Sequence, residues 1–349
     1  MQQGLVSKRA AEERRRLIES ERKAEKEAKR EKEAAERAAD ASKRLLEEAR
    51  ATTSGVNVEW DVACPGRTGV VCCDIWTSST SIGAPQVHPV VLWLHGGGWR
   101  HGTHHVMPEF MRVLTDAGFA VVSVGYQKRE PFPANLDDCK TVARWVRSEG
   151  AARGLDGRRI GVIGSSAGAH LAALLGLTGD VESGIPLVGA EGGDSQRSSA
   201  VQAVVAIAGP YDLRSRCRSD DPKSHEAHLL GGRLDAQPPE RVDAASPLSH
   251  AKALRPASIV PAFLLIHGDQ DAEVPIEQSQ LLLAALASAP GSTARADTLV
   301  TVRGGTHMLF SGRAKHNETQ SETQVEWDLA MRESTLKFLD AHLRGPLPA

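Results

Sequence analysis

Three residue types that together make an acyl-transfer nucleophile occur in this chain just past strand-like runs, in the order serine, aspartate, histidine. Ser166 lies in Gly164-Ser165-Ser166-Ala167-Gly168, Asp271 in His267-Gly268-Asp269-Gln270-Asp271, and His307 in Gly304-Gly305-Thr306-His307. A fourth segment, His95-Gly96-Gly97-Gly98-Trp99, has three consecutive glycines. A serine hydroxyl is a poor nucleophile until a histidine takes its proton, and a carboxylate is needed to hold the imidazole in the right tautomer. The expected chemistry is attack of Ser166 on a carbonyl carbon. The oxyanion that forms would be bound by the backbone N–H groups of Gly97, Gly98 and Ala167, each such donor being worth typically about 2.7–4 kcal/mol of barrier.

The serine pentapeptide fits G-x-S-x-G in one frame, which selects Ser166 over Ser165. At this glycine and serine content the pattern arises by chance about 0.2 times per chain, so its context has to carry the assignment. Arg159 to Ile163 reads as a short buried strand, and Ala169 to Leu175 as a helix of good formers. A strand-to-helix turn this sharp needs glycine on both sides of the nucleophile.

Two aspartates compete for the role of the acid. Asp269 and Asp271 both follow the run Ala262 to Ile266; Asp271 is preferred because it sits further into the loop, while Asp269 also suits a turn residue bonding its own backbone. His307 follows the last strand-like run, Thr298 to Val302, behind two glycines. A histidine side chain titrates near neutrality, which suits a general base. His95 is read as holding the glycine loop rather than as a base, while His101, His104 and His105 lie upstream of the serine and are given no catalytic part.

The elements that must position these residues follow an α/β pattern. Val90 to Leu94 is a continuous apolar run, the mark of a central strand covered on both faces. The expectation is a mostly parallel, twisted sheet with helices on both faces, entered through antiparallel strands at Val56 to Trp60 and Val70 to Trp76. Residues 179–200 and 214–250 read as insertions around the sheet, the second forming a small cap with a short helix at Ser224 to Leu230.

Several landmarks extend beyond these four segments: the Tyr126 to Pro133 loop ending Pro-Phe-Pro, the Asp137 to Arg147 helix with Trp145, Ser-Ala-Gly-Ala-His-Leu after the turn, Ala-Gly-Pro-Tyr-Asp-Leu at 208–213, and His-Gly-x-x-Asp-x-x-Val-Pro. With them, residues 88 to 343 resemble the alpha/beta hydrolase-3 and BD-FAE-like esterases, kin of the hormone-sensitive-lipase group. The resemblance implies an α/β-hydrolase fold and hydrolysis of carboxylic esters of small or short-acyl substrates through Ser166, His307 and Asp271. It implies no cofactor and no metal. Ser165 and Gln127 depart from the lipase branch, where aspartate and arginine are common. Ser-Ala-Gly-Ala-His also resembles kynurenine formamidases and prenylcysteine methylesterases, so a formamidase-type amidohydrolase is the second reading. A catalytically silent receptor or scaffold on the same fold is a third, disfavoured because all three triad residues are present.

Composition bounds the rest. A net charge of −2 gives no electrostatic case for nucleic acid. Five cysteines, with Cys72 and Cys73 adjacent, match neither a disulfide framework nor a zinc spacing and point to a reducing compartment. No apolar run reaches the length of a membrane span and no signal-peptide h-region is present, so the expectation is a cytoplasmic protein. Residues 1–50 stand apart from the catalytic domain at 51–349. From residue 7 to 50 there is no glycine or proline, and Glu12/Arg16, Glu19/Lys23, Glu25/Lys29 and Glu33/Arg37 are spaced i,i+4 with the acid first. As one helix this stretch would reach about 66 Å. Its apolar positions are mostly alanine, a poor seam, so a solvated single helix is favoured over a weak coiled coil or partner-binding arm, with disorder as the remaining reading.

Overall fold

The computed structural model describes residues 55–66, 69–79, 87–106, 108–179, 198–216, 221–256, 258–292, 295–307, 309 and 322–345. The chain divides into two units at Thr52/Thr53. The expected N-terminal helix, and most of the 179–200 insertion, lie outside the described residues.

Eight strands form one sheet in the order β1-β2-β4-β3-β5-β6-β7-β8. They are β1 (Val56–Gly66), β2 (Gly69–Ser78), β3 (His88–Leu94), β4 (Ala120–Val124), β5 (Leu155–Ser165), β6 (Ala203–Ile207), β7 (Ala262–Gly268) and β8 (Thr298–Val302). The pairs β1·β2 and β2·β4 are antiparallel and every other pair is parallel. The first two strands outrun the lengths expected from sequence. β1 carries a bulge between Glu59 and Val62, with Asp61 at φ 54°, after which pairing resumes at Val62↔Cys73. The extra residue turns the strand over: Val56 packs on one face of the sheet and Val62 and Cys64 on the other, while buried and exposed residues go on alternating.

The helices are α1 (Glu109–Asp116), α2 (Ala134–Glu149), α3 (Ala167–Thr178), α4 (Leu213–Arg216), α5 (His225–Leu230), α6 (Pro239–Ala244), α7 (Pro247–Lys252), α8 (Glu277–Ser288) and α9 (Glu322–Leu343). Successive strand residues point to opposite faces, so each central strand feeds two cores. Val90, Leu92 and Leu94 of β3 pack with Leu136 and Val142 of α2, Leu171 and Leu175 of α3, and Leu282 of α8. Val91 and Trp93 pack on the other face with Met111 and Leu114 of α1 and Met331 and Leu339 of α9. Both faces are covered, which is why the β3 run is apolar without alternation. Among the described residues no helix is long and apolar enough to cross a membrane.

The second insertion forms α4 to α7. Its expected helix begins one residue later, at His225, because Ser224 is the cap: its hydroxyl accepts the Ala227 N–H at 3.0 Å.

Candidate active site

Ser166 sits between β5 and α3 at φ 53°, ψ −119°, a left-handed conformation that costs a non-glycine residue energy and is retained only where the surroundings enforce it. The enforcement is steric. A Cβ on Gly164 would lie 2.1 Å from the Gly168 carbonyl oxygen, and one on Gly168 would lie 2.0 Å from that of Leu94. The turn therefore packs backbone on backbone, against the end of β3. Glycine is required at both positions, while Ser166 faces the open side and is half-buried.

The serine, histidine and aspartate expected from sequence meet there. His307 Nε2 is 3.0 Å from Ser166 Oγ, and His307 Nδ1 is 2.7 Å from Asp271 Oδ2. An ionised carboxylate only accepts, so Nδ1 carries the proton and Nε2 is left to accept from the serine hydroxyl.

The choice between the two aspartates also resolves. Asp269 turns away, its Oδ1 accepting the Gly304 N–H at 2.7 Å and so tying the histidine loop to the end of β7. Asp271 faces the histidine, and its other oxygen accepts the N–H groups of Glu273 and Val274 at 2.9 and 2.8 Å. A second imidazole, His267, reaches Asp271 Oδ2 at 3.3 Å while its Nε2–H donates to the Val274 carbonyl at 2.8 Å. Burial raises the Asp271 pKa, but the hydrogen bonds from His267, His307 and the Val274 N–H outweigh it and hold the carboxyl well below the usual range. His267 was missed from sequence; its place two residues before Asp269 in a buried strand end reads as core.

The three expected oxyanion donors lie on the two segments that meet at Ser166, the glycine loop and the start of α3. Gly97 and Gly98 lie at φ 122° and 58°, and a Cβ on the neighbouring Gly96 would come within 3.3 Å of Ser166 Cβ. Among the described residues no backbone carbonyl accepts the Gly97 or Gly98 N–H. Ala167 is the first residue of α3, where the N–H is unsatisfied within the helix.

His95 holds this loop. Its Nδ1–H donates to the Gly96 carbonyl at 2.8 Å, and Tyr126 stacks on the ring while its hydroxyl donates to the His95 carbonyl at 2.7 Å. Burial, reinforced by the Lys128 charge, lowers its pKa to about 3, so the ring is neutral.

A second strut was not visible in the sequence. The Trp99 indole N–H donates to His170 Nδ1 at 3.2 Å, and His170 Nε2–H donates to the Ala245 carbonyl at 2.7 Å, joining the glycine loop, α3 and the cap. From the cap side, His225 closes over the glycine turn: a Cβ on Gly98 would fall 2.3 Å from His225 Nδ1.

The BD-FAE family model matches residues 74–286, more than half of the chain and the span that holds the glycine loop, Ser166 and Asp271. The chain belongs to the BD-FAE family. Among curated proteins, this BD-FAE member is 32% identical to esterase LipQ of Mycobacterium tuberculosis, over 63% of this chain and 50% of LipQ. It is 30% identical to esterase LipC of the same organism, over 59% and 50%. The chain thus spans about half the length of these curated relatives. Among solved structures, an esterase of Pyrobaculum calidifontis superposes with a TM-score of 0.60 at 23% identity, covering 87% of this chain and 92% of that one. That likeness carries the α/β-hydrolase fold of the BD-FAE chain.

Proposed function

We propose that this protein hydrolyses carboxylic esters of small or short-acyl substrates through an acyl-enzyme on Ser166. The observation that carries the reading is the continuous hydrogen-bond chain from Ser166 Oγ through His307 to Asp271, at 3.0 and 2.7 Å. His307 takes the serine proton as Oγ attacks the ester carbonyl, then returns it to the departing alcohol. Asp271 fixes the imidazole tautomer and stabilises the imidazolium. The N–H groups of Gly97, Gly98 and Ala167 receive the oxyanion, and water activated by His307 releases the acid. The esterase relatives support this chemistry.

A labelled fluorophosphonate tests it directly. Wild-type protein is expected to be labelled at Ser166 and to turn over p-nitrophenyl esters fastest at short acyl length. Absence of labelling in folded protein, or faster turnover of formyl amides than of short esters, would overturn the reading.

A further inference from the structure

Behind the glycine loop, four metal-ligating side chains converge from three chain segments. The β1 bulge turns Asp61 toward Asp74 of β2, and the Asp61 N–H donates to Asp74 Oδ1 at 2.8 Å. His104 and His105, on the loop that follows the glycines, close the other side. His104 Nε2 lies 3.0 Å from Asp61 Oδ1 and 3.7 Å from Asp74 Oδ1. His105 Nδ1 lies 2.9 Å from Asp74 Oδ2, and its Nε2 lies 3.6 Å from Asp61 Oδ1. One ligand atom from each residue fits within 4.8 Å of all the others. The Asp74 side chain is fully buried and that of Asp61 is 48% exposed.

We propose that Asp61, Asp74, His104 and His105 form a four-coordinate zinc site. The charge suits a cation: two carboxylates, one of them out of water, face two imidazoles, and while those rings are neutral a metal ion would balance the carboxylates. The spacing suits zinc. Bonds of about 2.0–2.2 Å place neighbouring ligand atoms of a tetrahedron about 3.4 Å apart. The distances from His104 Nε2 to Asp61 Oδ1 and Asp74 Oδ1, 3.0 and 3.7 Å, fall on either side of that value, and His105 offers one of its two nitrogens. So does the donor set, since calcium and magnesium take shells of oxygen, whereas imidazole with carboxylate suits zinc.

Four protein ligands make the site a structural one with no open position for substrate. Its consequence lies in what it joins. The His101 N–H donates to the Gly97 carbonyl at 2.9 Å, and a Cβ on Gly97 would lie 2.5 Å from the His101 carbonyl oxygen. The loop that presents His104 and His105 therefore also underlies the glycine turn. Zinc would lock it to the β1–β2 hairpin.

The test uses tag-free full-length protein stripped with a chelator and titrated with zinc chloride by calorimetry and with cobalt(II) by visible absorption. The expected results are one saturable site, the intense visible bands of four-coordinate cobalt, and a Tm that rises with zinc to a plateau. Asp61→Asn and His104→Ala are each expected to weaken zinc binding at least about tenfold, and the double variant to abolish it. His307→Ala is expected to bind as wild type does. Wild-type protein with no saturable site, or with the weak bands of six-coordinate cobalt, would overturn the proposal without recourse to any variant. So would binding that survives in the double variant or disappears in His307→Ala.

Discussion

Ser166 and Ser165 are adjacent and both half-buried, yet only Ser166 has its hydroxyl within 3.0 Å of His307 Nε2. Ser166→Ala is therefore expected to remove ester hydrolysis down to the contribution of binding and the oxyanion donors, roughly 10³–10⁴ over water, while Ser165→Ala keeps most of it. Steady-state rates on a short p-nitrophenyl ester check this, and equal loss in two folded variants would contradict it. The aspartates separate on similar grounds. In Asp271→Asn the amide cannot accept from His307 at Oδ2 without abandoning its other donors, so the wrong tautomer is stabilised and kcat is expected to fall by about 10⁴. Asp269 accepts a single backbone N–H, from Gly304, which an asparagine oxygen can also do, so Asp269→Asn is expected to stay within about tenfold of wild type. The reverse order of the two losses would reassign the acid.

Among the elements, the turn between β5 and α3 is the least tolerant of change. Gly168→Ala would force a Cβ to within 2.0 Å of the Leu94 carbonyl oxygen and 2.6 Å of that of His95, prising the helix from the end of β3. Overpacking of this kind typically costs about 1–3 kcal/mol, and here it also separates the nucleophile from the glycine loop. The variant is expected to lose both Tm and fluorophosphonate labelling. Gly291→Ala is the control: at φ 75° with nothing within 4 Å it carries conformational strain alone and should label as wild type does. Comparable losses of labelling in the two variants would remove contact with β3 as the cause, since of the two only Gly291 has a positive φ. These elements differ in how legible they are in sequence. The central strands announce themselves as apolar runs ending in glycine-rich loops, because both faces are buried and the chemistry sits at the strand ends. The 62–66 half of β1 does not, because Asp61 interrupts the apolar run and Pro65-Gly66 carries turn residues, although the alternation itself continues through the bulge. His170 and Trp99 are silent for another reason: each acts through a partner more than seventy residues away, and nothing in local spacing encodes Trp99 meeting His170 or His170 meeting Ala245. His267 lies only four residues from Asp271 and is silent because a histidine at a buried strand end reads as core.

For the whole molecule, residues from Thr53 onward form their own compact unit. Deleting residues 1–50 is expected to leave kcat/KM for a small soluble ester within about threefold, as changes away from buried features usually shift stability by less than about 0.5 kcal/mol; an inactive or aggregated truncation would contradict it. Buried imidazoles inside the second unit contribute to its acid sensitivity, and burial lowers the pKa of His95, His170, His104 and His250 alike. Burial lowers the pKa of His95 to about 3 and that of His170 to about 4, from 6.5 when unfolded. Between these limits the unfolded chain binds protons that the folded chain refuses, so stability rises with pH and is lost as pH falls. The loss should begin near pH 6.5, run to about pH 4 for His170 and about pH 3 for His95, and be absent above pH 7 as far as these two groups are concerned. Each histidine contributes at most about 1.4 kcal/mol per pH unit within its window. Asp271, whose pKa is depressed, adds its own loss only further down, below the ordinary carboxylate range. Urea unfolding midpoints measured at intervals from pH 8 to pH 4.5 check the claim: a plateau followed by a fall below about 6.5 is expected. Replacing His170 with glutamine should shallow that fall, because a side chain that cannot titrate has no proton to refuse; an unchanged slope in that variant would remove His170 from the account.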